Sequence, residues 1–310
     1  MIKKAIITAA GKGTRQYPAT NAVQKELFPL VDQNGVAKPT IQFIVEEALA
    51  AGIEEIAIIV QPGEEQQFQS HFQPLSDQEK TAFQNKPWGL HISDQLASMQ
   101  QQITYIHQRE QSGFGHAVYC AKEWAAGEAV MLMLGDHVYL THSSSSCAEQ
   151  MVNAYRVHKK SIMGVQQTPV DQLHLFGTLS GVAGDRSGHY VIKKIAEKPS
   201  PEFARQHLIT PDLPEDTFLT IFGMYTLTPA LFDILDDHVK NDKRMAGEIQ
   251  LTAALAELIE REGAFGVLMD GARLDMGTPR GYLMTLAALA GHSPFADDVR
   301  KVLSQTDFSQ

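Results

Sequence analysis

Apolar side chains recur along this chain with two periods, and each period predicts a different element. Residues 4–10 form a short Ile- and Ala-rich run that stops at Gly11, the pattern of a parallel strand buried on both faces with a turn at its C-terminal end. From Pro39, a residue suited to the first turn of a helix, Ile41, Ile44, Val45, Ala48 and Leu49 share one helical face, and Gly52 supplies the stop. Residues 53–60 read as the next strand. Strand, crossover helix and strand make a βαβ unit, which sets the Gly-rich turn at the C-terminal edge of a sheet, the usual place for a ligand.

Residues 66–102 lose this regularity. They are polar and Gln-rich and contain Pro74, Pro87 and Gly89, which predicts a partly helical insertion rather than a domain boundary. Residues 103–106 resume a strand, 116–126 read as helix, and 129–134 are a continuous apolar strand that ends at Gly135 and Asp136, so a second strand end presents polar groups. The serine run 143–146 is too short for a linker, and no repeat of fixed period appears. A helix, strands around 161–166 and 191–196, a helix after Gly247 and a last apolar helix near 281–290 complete the expected elements.

Composition narrows the classes. With 310 residues, 44% apolar and 20% charged, the chain can bury a sizeable core. A net charge of −10 without a basic block argues against a nucleic-acid surface, which needs clustered Lys and Arg. Cys120 and Cys147 are the only cysteines, so neither a disulfide framework nor a multi-Cys zinc site is available, and a reducing cytoplasm is the expected compartment. No cleavage-type signal or membrane-length apolar run is present, so neither secretion nor membrane insertion is expected.

The sharpest chemical signal is Gly11-Lys12-Gly13-Thr14-Arg15 after the first strand, with Lys25 beyond it. Backbone amides of such a turn can donate to phosphate oxygens, while Arg15 and Lys25 can neutralise their charge. Gln16 stands where the dinucleotide fingerprint needs its third Gly, and no Gly-Lys-Ser/Thr follows, so neither a Rossmann dehydrogenase nor a Walker loop is indicated. By itself the motif is equally a tight β-to-α turn with solvated cations.

Together with Ala9-Ala10, Pro18-Ala19-Thr20 and Lys25-Glu26-Leu27-Phe28-Pro29-Leu30, this turn resembles the start of the sugar-nucleotide pyrophosphorylases, most nearly the bacterial UTP:glucose-1-phosphate uridylyltransferases. The resemblance continues in family order through Ile41 to Ala48, Gly113-Phe114-Gly115-His116, Leu134-Gly135-Asp136, Glu197-Lys198-Pro199, Gly247 to Thr252 and Asp275-Met276-Gly277-Thr278. It implies a three-layer, Rossmann-like α/β nucleotidyltransferase fold with a mixed, mostly parallel sheet flanked by helices. One domain over 1–310 is expected, with the insertion at 66–102 and a C-terminal helical segment at 281–310.

The implied reaction joins a nucleoside triphosphate, UTP, to a sugar 1-phosphate, glucose 1-phosphate, giving an NDP-sugar and pyrophosphate. By resemblance Asp136 and Asp275 hold Mg2+, Arg15 and Lys25 steady the pyrophosphate, and Lys198 steers the sugar phosphate. Ala10, Gly11, Gly13, Thr14, Gln108 and Gly113 are the implied nucleotide contacts, and Gly177, Glu197 and Lys198 the implied sugar contacts. An amide such as Gln108 can donate to and accept from a pyrimidine edge, and a carboxylate such as Glu197 can accept from a polyol. His116 reads as a structural helix-start residue, since the attacking phosphate needs no base. Partners are small molecules, and family members commonly form dimers or tetramers.

Several residues leave the glucose-enzyme pattern: His137 stands where a second Asp is common, Gln111 for Pro, Phe218 for Asn, Met224 for Arg and Ala253 for Asp. These departures leave the exact sugar open. They also allow the alternative of a nucleotide-sugar-binding regulator or scaffold with weakened turnover.

Overall fold

The computed structural model describes residues 1–305. Nine strands form one mixed sheet, in the spatial order Ile103–His107, Glu55–Val60, Lys4–Thr8, Val130–Leu134, Thr217–Leu227, Ser161–Pro169, Ala264–Leu268, His189–Glu197 and Gly177–Ala183. The first four are mutually parallel, so their C-terminal ends share one edge. The remaining joints are antiparallel, apart from that between Ser161–Pro169 and Ala264–Leu268.

Alternation along the first strand sorts the core into two faces. Ala5 and Ile7 join one apolar cluster and Ile6 the other, because successive strand side chains point to opposite sides. Helices Thr40–Ala50 and Cys147–His158 cover the first face, and Phe114–Tyr119, Ala230–Lys240 and Leu251–Glu262 the second. Each fully buried Ile or Leu in these layers contributes about 1.5–3 kcal/mol. Helix, sheet and helix give the three layers.

Differences from the sequence-based elements have local causes. Pro39 is not in the first helical turn; it is extended at φ −70°, ψ 155° and caps Thr40–Ala50 from outside. The stretch 66–102 is more helical than expected, holding Glu65–Phe72, Asp77–Ala82 and Pro87–Gln102, because its prolines fall between or at the start of helices. The expected helix 116–126 divides into Phe114–Tyr119 and Lys122–Ala125. Helices Pro279–His292 and Ala296–Gln305 occupy the C-terminal segment, whose last residues, 306–310, lie outside the described residues. Among the described residues no helix is long and apolar enough to cross a membrane.

Two features outside the simple layers shape the ligand edge. A short antiparallel ribbon pairs His137–Thr141 with Gly271–Asp275, in a register that sets Asp275 opposite His137 and Arg273 opposite Tyr139. The central strand Thr217–Leu227 carries a register shift between Ile221 and Tyr225, where Gly223 takes φ 91°. Such a bulge frees backbone carbonyls from the ladder. Here the ribbon uses them: Tyr139 Oη donates to Gly223 O at 2.8 Å and Arg273 Nη1 to Ile221 O at 2.7 Å.

Candidate active site

The parallel strand ends, the Gly-rich turn and the ribbon enclose a cavity of about 780 Å³. Asp136, just beyond Val130–Leu134, and Asp275, ending its ribbon strand, converge there with His137. Ligand atoms of these three side chains all lie within 4.8 Å of one another. His137 bridges them, with Nδ1 3.5 Å from Asp136 Oδ1 and Nε2 3.7 Å from Asp275 Oδ2. His137 Nδ1 is buried without a hydrogen-bond partner.

The residues fit a divalent cation. Gly277 leaves open the space between the carboxylates, since a Cβ there would stand 2.7 Å from Arg15 Nη2, 2.9 Å from Asp136 Oδ2 and 3.0 Å from Asp275 Oδ1. Two carboxylate oxygens flank this space, with Arg15 beside them, and carboxylate oxygens are the donors that a hard cation prefers. Burial opposes charge on Asp136, but Lys25 and His137 outweigh it and hold its pKa below the ordinary value. Asp275 is likewise held well below the carboxylate range, against its burial, by His137, the Gly277 N–H at 2.7 Å and Arg273. Both are therefore ready anions at neutral pH.

Lys25 enters from the short turn Lys25–Leu27 and donates to Asp136 Oδ2 at 2.5 Å. Its neighbour Glu26 is fully buried, 3.4 Å from Lys25 Nζ, yet neither carboxylate oxygen has a hydrogen-bond partner. Burial pushes the Glu26 carboxyl up to about 7, with the nearby Asp136 adding to the rise and Lys25 opposing it. A carboxyl whose folded pKa is raised lowers stability as pH climbs from the unfolded value, 4.5, to the folded one, about 7, because only the unfolded chain ionises freely in that window. Glu26→Gln removes this proton linkage. Thermal melts from about pH 5 to pH 8 are expected to show the wild type losing stability relative to the variant; parallel curves would refute the assignment.

At the end of the cavity bounded by the Gly-rich turn, Ala10, Gly11, Lys12 and Arg15 line the wall. Gly13 and Thr14 do not: Gly13 turns the loop at φ 60°, with its carbonyl accepting from Gln16 N and Thr20 Oγ1. Across the parallel strands, Gln108 lies beyond Ile103–His107 and is 4% exposed. Its Nε2 donates to Gly113 O at 3.0 Å and lies 3.2 Å from His116 Nδ1. Because a carbonyl only accepts, this contact fixes the amide orientation, and Gln108 Oε1 is left without a partner among the described residues. His116 thus supports Gln108 from within Phe114–Tyr119. Three strand spacings, on the order of 14 Å, separate the strand that Gln108 follows from the strand that Asp136 follows.

The opposite end gathers Gly177, Glu197 and Lys198. Glu197 Oε2 accepts from Thr252 Oγ1 at 2.6 Å, and a Cβ on Gly177 would stand 3.4 Å from the same oxygen. Lys198 holds the left-handed region at φ 43°, a strained conformation for a residue with a side chain. Its backbone N–H bonds to Phe176 O, and its Nζ lies 3.6 Å from Glu197 Oε1. Of the departures noted in the sequence, Gln111 lines the cavity, whereas Phe218 and Met224 are buried in the core. Sequence reasoning missed the joint placement of His137 with the two Asp, and it missed Arg273. No local signal marked Arg273: it shares a strand face with Asp275, but that strand shows no period in the sequence.

A mixed sheet between two helical layers, with a Gly-rich turn and paired carboxylates gathered at one cavity, is an architecture suited to nucleotide chemistry. Residues 4–291 match the nucleotidyl transferase family model, and the chain belongs to that family. It is similar to the UTP–glucose-1-phosphate uridylyltransferases of Staphylococcus epidermidis, 33% identical over 99% of each chain, and of Bacillus subtilis, 35% identical over 93% of this chain and 91% of the relative. Among solved structures, the UTP-bound UGPase of Acinetobacter baumannii superposes with a TM-score of 0.82 at 25% identity, covering 99% of this chain and 100% of that one. A UDP-glucose pyrophosphorylase complexed with UDP-glucose gives 0.74 at 28% identity, over 93% and 98%.

Proposed function

We propose that this nucleotidyltransferase transfers the uridylyl group of UTP to glucose 1-phosphate, with Mg2+ held by Asp136 and Asp275. The observation that carries the reading is the convergence of Asp136, His137 and Asp275 at one cavity, between the Gln108 end and the Glu197–Lys198 end. A phosphate oxygen of the sugar phosphate attacks the α-phosphorus, the bond to the bridging oxygen of the β-phosphate breaks, and pyrophosphate leaves. The nucleophile is already an anion, so no side chain has to remove a proton, and the task is to bring two polyanions together. Bound magnesium supplies neutralising charge to the phosphates. Arg15 and Lys25 offer cations to the triphosphate tail, while Lys198 and Glu197 receive the sugar phosphate and the sugar hydroxyls.

Gln108 supports a uracil base. Its free Oε1 can accept the N3–H of uracil or thymine, whereas cytosine presents an acceptor at N3. A matrix of UTP, dTTP and CTP against several sugar 1-phosphates, read by pyrophosphate release, tests both substrates. UTP with glucose 1-phosphate is expected to turn over fastest, with CTP slower by about 10²-fold in kcat/KM, and Gln108→Leu is expected to reduce that preference about tenfold. Absence of pyrophosphate release from every combination would sink the reading. A cytoplasmic homodimer or homotetramer is the assembly that accompanies it.

A further inference from the structure

Arg273 has no part in the transfer as described, yet its environment demands a ligand. It lies on the ribbon strand Gly271–Asp275 and faces the same cavity as Asp275, two residues on and about 7 Å along the strand. The guanidinium stacks on Phe176 at 4.1 Å, and among the described residues only its Nη1 has an acceptor, Ile221 O at 2.7 Å. No carboxylate lies within 4.0 Å of it among the described residues, and its Nε is buried without a partner. Burial lowers its pKa, against Asp275 and two tyrosines, but a guanidinium stays charged in a protein. A half-buried cation with no carboxylate in direct contact is costly, and such charges persist where a ligand supplies the contacting anion.

The position selects the anion. Phe176 precedes Gly177, and its carbonyl receives the Lys198 N–H at 3.2 Å, so Arg273 sits beneath the sugar end of the cavity. Asp275 marks the carboxylate end. We infer that Arg273 binds the phosphate of the sugar 1-phosphate, gripping oxygens that do not attack, an inference that rests on the sugar-phosphate transfer proposed above. A planar fork suits this role better than a point charge, because it can take two phosphate oxygens at once.

The test is steady-state kinetics of the full-length wild type, Arg273→Met and Arg273→Lys, each substrate varied in turn, with thermal melting alongside. Wild-type turnover comes first: no pyrophosphate release would reject the transfer reaction itself. Given turnover, Arg273→Met is expected to raise the KM for glucose 1-phosphate about 30-fold while the KM for UTP changes less than about twofold. Arg273→Lys, which keeps the charge and loses the fork, is expected to raise it about fivefold. Equal rises in both KM values with a lowered melting temperature, the mark of a strut between ribbon and bulge, would overturn the inference. An unchanged KM for glucose 1-phosphate would do the same. If Arg273→Met does not fold, the Lys variant decides by the same comparison.

Discussion

Asp136→Asn should lower kcat/KM by about 10³-fold, a loss of roughly 4 kcal/mol of transition-state stabilisation, while the protein remains folded. Asn keeps the shape and one oxygen of Asp136 but removes the anion that faces the gap above Gly277. Cation affinity should fall with it, since the remaining donors are Asp275 and the His137 imidazole. Folding is expected to survive, because Lys25, stripped of Asp136, still lies 3.4 Å from Glu26, and the strand before Asp136 is buried independently of its charge. Pyrophosphate release, manganese binding followed by electron paramagnetic resonance, and thermal melting together check this. Near-wild-type turnover with unaltered ion affinity would show that the carboxylate cluster is not the reaction centre.

Gly113→Ala should be strongly disruptive at the Gln108 end of the cavity. Gly113 holds φ +108°, and an added Cβ would lie 2.7 Å from Glu248 Cβ and 2.8 Å from Ile249 O. Neither neighbour can step aside easily, as Ile249 is itself pinned by its N–H to Ser112 O at 2.8 Å and its carbonyl to Gly115 N at 2.9 Å. The substitution is expected to destabilise the fold by about 3 kcal/mol and to raise the KM for UTP more than about tenfold, because Gly113 O anchors the Gln108 amide. Gly247→Ala is the matched control: φ is +84° there, but nothing lies within 4 Å of the added methyl. Denaturant titration of both variants should therefore separate steric overlap from backbone preference. Equal losses would mean the packing around 249 yields.

The parts of the molecule legible in the sequence are those whose chemistry is local. Lys4–Thr8 and Glu55–Val60 are buried on both faces, so they read as unbroken apolar runs, and Thr40–Ala50 buries one helical stripe. The turn at Gly11 and the strand-end Asp136 follow from those elements. The ribbon was not legible. Every residue of Gly271–Asp275 is only half-buried, so no period marks it as a strand, and its register against His137–Thr141 is a tertiary fact. For the same reason His137 read as a departure from a family pattern, although the fold sets it between both carboxylates. The long strand Thr217–Leu227 is buried throughout from Phe218 onward, but Thr220, Gly223 and Thr226 break its apolar run in the sequence, and Gly223 carries a bulge.

The pairing of His137 with Asp275 has a consequence for biosynthesis. Asp136 leaves the ribosome well before its acidic counterpart, Asp275. Until Gly271–Asp275 emerges and pairs with His137–Thr141, a nascent chain has no means of gathering both carboxylates. A product truncated before Gly271 is thus expected to lack the carboxylate pair proposed to hold the cation.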